Sequence, residues 1–158
     1  CERTVMRLTR QTNYAIRILM YCAANEGRLS RISDIAEAYS LSDLFLFKIL
    51  QPLVEHGFVE TVRGRHGGVR LAKAAEEITL FDVVRVTEDN FAMAECFEND
   101  ETDCPLVESC GLNEALRKAL NAFFEVLAGY TISDLAVASP DMRLRLGLDD
   151  LPERAAAR

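Results

Sequence analysis

From residue 11 the apolar positions recur with helical spacing. Ala15, Ile18, Leu19, Cys22 and Ala23 share one stripe, Arg10 and Arg17 lie off it, and Gly27 ends it. A helix over about 11–24 is predicted, with Cys22 an unreactive core thiol on its buried face. A short helix follows, with Ser33 its expected N-cap and Ile35, Ala36 and Tyr39 available for packing. A third helix is predicted from Ser42, whose hydroxyl can accept from the first turn, to a stop at Gly57. Its expected inward stripe is Leu44, Phe47, Leu50, Leu53 and Val54, and Pro52 is expected to kink it.

Two short helices joined by a brief turn form the helix-turn-helix pattern, weak as a signal by itself. The next segment strengthens it: strand-like residues 58–62 and 69–71 flank Arg63-Gly64-Arg65-His66-Gly67-Gly68, a glycine-rich cationic tip. This reads as the wing of a winged helix, able to bring Arg63 or Arg65 to a narrow minor groove. A nucleotide-phosphate loop is a poor reading, since no helix opening on Lys-Ser/Thr follows the glycines. Thr79, whose hydroxyl can bond the backbone three residues on at Asp82, then starts a further helix through Val86.

Residues 86–116 contain no Lys or Arg but many carboxylates, and composition makes this stretch a loop. After it the apolar positions Leu112, Ala115, Leu116, Ala119, Leu120, Phe123, Phe124 and Leu127 mark a long helix ended by Gly129. That helix has more apolar face than one wing domain can cover, so it is expected to pair with its copy in a two-fold homodimer. A short capped helix is expected over 131–137. The fold class is therefore mainly α with a small β-hairpin wing, a winged helix-turn-helix plus a long dimerisation helix. Its expected parts are a DNA-binding domain at 6–88, a cysteine loop at 89–111, the dimerisation region at 112–138 and a flexible tail at 139–158.

Charge sharpens the picture. The net charge of -7 averages two unlike halves, because residues 1–75 hold 11 Lys or Arg against 7 Asp or Glu and all the excess acid lies beyond them. The basic half can meet a polyanion, so double-stranded operator DNA is the expected partner. The apolar runs are far too short to span a membrane and no secretory signal is evident, so a cytoplasmic location is expected. No catalytic constellation is recognisable: both histidines, His56 and His66, stand apart from the cysteines, and no paired carboxylates sit on a recognisable scaffold. Neither enzymatic activity nor a small-molecule substrate is expected.

Of the five cysteines, Cys96, Cys104 and Cys110 are spaced C-x7-C-x5-C on the acidic loop. Structural zinc prefers four ligands with a short C-x2-4-C pair, and a redox disulfide between two of the three is a further option. Soft thiolates also suit an iron-sulfur cluster, which needs no such short pair.

Residues 6–17 (MRLTRQTNYAIR), 40–50 (SLSDLFLFKIL) and 62–71 (VRGRHGGVRL), with three cysteines ahead of a long helix, resemble the IscR/NsrR-like winged-helix iron-sulfur transcriptional regulators. The likeness extends from residue 6 to about 138. The C-x7-C spacing, FAMAECF at 91–97 and KILQPL at 48–53 most resemble the rhizobial iron-responsive branch. This resemblance implies a homodimeric repressor of iron-uptake genes whose operator affinity depends on a 4Fe-4S cluster, or alternatively a 2Fe-2S cluster, held by Cys96, Cys104 and Cys110. The alternative is a nitric oxide or redox-sensing repressor of the same fold, with cluster, zinc or thiol oxidation as the switch. It places the recognition-helix entry on Ser40 and Ser42 and a wing contact on Arg63. Arg7, Lys48 and Arg65 are candidate phosphate contacts, as are Arg10, Arg31 and Arg70. Phe45 stands where the cluster-biogenesis members present an acidic base-reading side chain. It is expected either to meet a thymine methyl or to turn inward. Both positions equivalent to a fourth cluster ligand, Asn13 and Asn113, carry amides, so one iron is expected to be weakly held.

Overall fold

A computed structural model of the chain describes residues 7–94, 97, 105–106 and 110–150. Its elements are α1 (Arg10–Ala24), α2 (Ile32–Tyr39), α3 (Asp43–Glu55), β1 (Val59–Val62), β2 (Gly68–Leu71), a 3-10 turn (Ala75–Glu77), α4 (Leu80–Thr87), α5 (Gly111–Ala128), α6 (Ile132–Val137) and α7 (Met142–Arg145). The predicted class is the observed one, a helical protein with one two-stranded antiparallel hairpin.

The first helix is the spine. Its start is capped by Thr9, whose hydroxyl accepts from the Thr12 amide at 3.2 Å, while the Thr9 amide donates to Glu88 just past α4 at 2.7 Å. Ala15, Ile18, Leu19 and Cys22 are buried as the pattern predicts, joined by Thr12 and Tyr21. Around this stripe pack α3, α4, α6 and β2, closing a single core that includes Ile35, Leu46, Ile49, Leu53, Val69 and Ile132.

Four expectations need correction. The second helix opens at Ile32 with Arg31 as cap; Ser33 already lies inside the first turn, its hydroxyl donating to Asp34 at 3.4 Å. Ile32 packs against the core, which draws the helix start forward. In α3 the buried positions are Leu46, Ile49, Leu50 and Leu53, whereas Leu44, Phe47 and Val54 face outward. Two overlapping stripes were available in so apolar a segment, and packing against α1 chose between them. The helix also continues through Pro52, which lies only three residues from its end, where the Pro52 carbonyl accepts from the His56 amide at 3.1 Å. Finally, the described part of the expected tail, 139–150, is packed. It contains α7, Leu148 is wholly buried in the core, and the Arg143 guanidinium donates to the Ala24 carbonyl at the end of α1 and to Asp149 at 3.0 Å.

The long helix α5 has no fully buried residue. Leu116, Leu120, Phe124 and Leu127 are half-buried, and Phe124 meets Phe81 and Phe91 edge-on at 5.2 and 4.8 Å. Leu112, Phe123 and Val126, on other faces, are exposed. Beyond Gly129 the chain returns to the body, since the Leu80 amide donates to the Tyr130 carbonyl and the Ile132 amide to the Ile78 carbonyl, both at 2.9 Å.

Candidate nucleic-acid interface

The turn between α2 and α3 is built by Ser40, the one non-glycine residue with positive φ (52°) among the described residues. That left-handed step lets the Leu41 amide reach the Ala36 carbonyl at 2.8 Å and turns the chain sharply. Ser42 then caps α3, its hydroxyl accepting from the Phe45 amide at 3.2 Å, with Asp43 in the positive first turn. Both serines are exposed at the leading end of α3.

Phe45 turns inward. Its ring lies edge-on to Tyr14 at 6.0 Å, and the Arg10 guanidinium covers it at 5.0 Å. Tyr14 in turn meets Tyr39 at 6.4 Å, and the Tyr39 hydroxyl donates to the Arg17 carbonyl at 2.9 Å. Arg10 is thereby committed to holding α1 against α3, and Arg70 pairs with Glu60 across the hairpin. The outward face of α3 instead carries Leu44, Phe47, Lys48 and Gln51, at i, i+3, i+4 and i+7. The Gln51 amide donates to Glu55 at 3.1 Å.

The hairpin pairs Val59 with Leu71 and Val62 with Gly68. Its free edge is sewn to the start of the helix-turn-helix by Ser30, whose amide donates to the Val69 carbonyl at 2.9 Å and whose carbonyl accepts from the Val69 amide at 2.8 Å. Ser30 is itself fixed by a buried bond from the Asn25 side chain at 3.0 Å. Ser30 is not visible to a periodicity argument, because its backbone partner Val69 is remote in sequence. Glycine is required here for space: a Cβ on Gly67 would lie 2.1 Å from the Val62 carbonyl oxygen, and one on Gly68 would lie 2.5 Å from that of Ser30. At the tip, Gly64 has φ +110°.

Between α3 and the tip runs an open groove lined by Arg31, Phe47, Gln51, Val62, Arg63 and Arg65, among others. Arg7, Lys48, Arg63 and Arg65 are exposed, and among the described residues none has an acidic partner within ion-pair distance. The structure therefore brings Ser42, Lys48, Arg63 and Arg65 to the surface formed by α3 and the wing. Arg7 lies ahead of α1, outside that groove lining.

Of the three candidate cluster ligands, Cys96 and Cys104 lie outside the described residues. Cys110 is the N-cap of α5 and half-buried, its Sγ accepting from the Asn113 amide at 3.4 Å. Phe97, next in sequence to Cys96, lies under the Arg117 guanidinium at 4.8 Å, and Arg117 also donates to the Asn113 side-chain oxygen at 2.7 Å. Phe97 and Cys110 are thus both held on the first two turns of α5, and the donor chemistry at Cys110 fits a soft metal group. Among the described residues no three His, Cys, Asp or Glu side chains converge on a metal site. Cys22 is a different kind of thiol: burial pushes it up to about 12 despite a hydrogen bond with Ser30, as an unreactive core residue should be. No described helix is long and apolar enough to cross a membrane.

Comparison with known proteins agrees with this geometry. A family model described as Rrf2, iron-dependent transcriptional regulator, matches residues 8–138. Protein aau3 of Rhizobium meliloti (strain 1021) is 70% identical over 154 residues, covering 96% of this chain and all of that protein. The HTH-type transcriptional regulator NsrR of Bacillus subtilis (strain 168) is 44% identical over 138 residues, covering 87% of this chain and 94% of its own. Among solved structures, CymR, the global cysteine regulator of B. subtilis, superposes with a TM-score of 0.67 at 26% identity, over 85% of this chain and 98% of that one.

Proposed function

The chain belongs to the Rrf2 family of DNA-binding transcriptional regulators, which are not enzymes, and from that premise we propose that it is an iron-responsive repressor of iron-uptake genes. In this reading two copies pair through the exposed apolar face of α5, and Cys96, Cys104 and Cys110 hold an iron-sulfur cluster, 4Fe-4S in preference to 2Fe-2S. The α3 helix enters the major groove from Ser40 and Ser42, Arg63 and Arg65 of the wing reach the neighbouring minor groove, and Arg7 and Lys48 meet phosphates.

The observation that carries it is the seat of Cys110. Its sulfur caps the helix whose uncovered face is offered to a second copy, so a group bound there bears on how two reading heads are spaced. Each tenfold change in operator affinity needs about 1.4 kcal/mol of difference between the two states, a range typical of coupling between sites. When bound, the cluster supplies a cross-link that iron scarcity can remove. Asn13 is exposed on α1 and the Asn113 oxygen is engaged by Arg117, which supports a weakly held corner.

Oxygen-free purification with absorption spectroscopy, native mass spectrometry and a mobility shift tests the reading. The expected result is a coloured, iron-loaded dimer that binds its operator and loses both iron and specific binding in Cys104→Ala. A Cys104→Ala protein that lacks iron yet binds normally shows that the cluster is not the switch. The alternative reading takes nitric oxide as the input, and release by nitric oxide in iron-replete buffer, without release by a chelator, would select it.

A further inference from the structure

The outward face of α3 is unusual for a surface that must meet a polyanion. Its first two turns present Leu44, 81% exposed, and Phe47, 58% exposed, beside Lys48 and Gln51. Neither apolar side chain contributes to the core, which α3 fills from its other side with Leu46, Ile49, Leu50 and Leu53. Phe47 also lines the groove that ends at Arg63 and Arg65. The occupant of this face must therefore offer apolar groups along a strip whose borders are negative. Lys48, Arg63 and Arg65, without acidic partners among the described residues, outnumber the nearby carboxylates of Asp43 and Glu55, the latter already bonded to Gln51, and this excess of positive charge disfavours a second copy of the same surface. In the major groove of duplex DNA one base supplies an apolar group at its edge, the C5-methyl of thymine.

We propose that Leu44 and Phe47 are specificity-determining residues that recognise thymine methyl groups, so that each half-site carries thymines facing the first two turns of α3. The inference rests on α3 being the base-reading helix. Lys48 and the wing arginines supply attraction that is indifferent to sequence, while the methyl contacts decide which sequence is held. Gln51, one turn further on, is an outward side chain able to bond a base edge, in competition with its bond to Glu55.

The test begins by selecting bound sequences from a random duplex pool with the full-length protein purified without oxygen. The winning duplex is then synthesised with thymine or with deoxyuridine in the half-sites, a change that deletes only the methyl. Burial of one methyl corresponds to about a fourfold change in affinity, so two contacted methyls in a half-site should weaken binding by about tenfold or somewhat more. Phe47→Ala and Leu44→Ala should each lose part of this discrimination, and the double variant should hold the two duplexes equally. Both residues are exposed, so circular dichroism should show unchanged folding; the deoxyuridine comparison leaves the protein untouched and stands even if a variant misfolds.

Equal binding of thymine and deoxyuridine duplexes by the unaltered protein overturns the proposal, as does discrimination that persists in the double variant. A double variant that instead dissociates the dimer, read by sedimentation, assigns the face to protein contact and also overturns it. Failure to enrich any sequence is a separate result, because it removes α3 as a base reader and the proposed repressor function with it.

Discussion

Gly68→Ala isolates the contact that places the wing. The added Cβ would lie 2.5 Å from the Ser30 carbonyl oxygen and 3.0 Å from its carbon, both backbone atoms that no rotamer change can move. Relief requires Ser30 and β2 to separate, which breaks the two bonds between Ser30 and Val69. At about 1 kcal/mol net for each, the loss is about 2 kcal/mol, a drop of roughly 30-fold in the folding equilibrium. A further cost follows if the Asn25 side chain is left without Ser30, because that bond is buried. Gly111→Ala is the control: nothing lies within 4 Å of its Cβ position and it opens α5. There the substitution should stabilise by about 0.5 kcal/mol through the unfolded chain. Urea denaturation of both variants, reduced and metal-free, gives the comparison, with a constant slope showing that only stability has changed. If Gly68→Ala keeps its midpoint within about 0.5 kcal/mol of the unaltered chain, the close approach of Ser30 is not what seats the hairpin.

Other consequences can be checked with similar material. Leu148→Ala should cost about 2–5 kcal/mol, because the side chain is wholly buried; unchanged stability on removing residues 139–158 would contradict the packed position seen here. Replacing Lys48 by Ala should weaken DNA binding evenly across sequences and reduce the salt slope by about one for the lost phosphate contact, whereas an unchanged slope removes Lys48 from the interface. Above about pH 9 stability should fall. Burial raises Cys22 from 9.0, and Tyr21 and Tyr39 from 10.0, each to about 12, so above the lower values the unfolded chain releases protons that the folded one retains. The loss should continue as pH approaches 12, and Cys22→Ala should flatten its first part in a series of urea midpoints against pH.

Local physics made much of this protein readable from its residues. The stripe of α1, the Ser42 cap, the Thr79 and Thr131 capping boxes, and the glycine-rich turn are short-range features, and each lies where spacing and hydrogen-bonding chemistry place it. Cysteine spacing and the split in charge likewise identified candidate chemistry before any coordinates. Which of two stripes on α3 turns inward was a different matter. Residues 43–55 are apolar on more than one side, so periodicity is degenerate, and only the shape of α1 and α4 selects Leu46 and Ile49 over Leu44 and Phe47. Sequence distance hid Ser30, whose role is a backbone pairing with Val69 across 39 residues, and the burial of Leu148, an apolar residue of the expected flexible tail that distant segments cover. Sequence alone located most helices and turns, because capping and turn chemistry act within a few residues, although packing of Ile32 moved the start of α2. Tertiary structure decided which faces remain open to a partner, because that depends on what the rest of the chain has already covered.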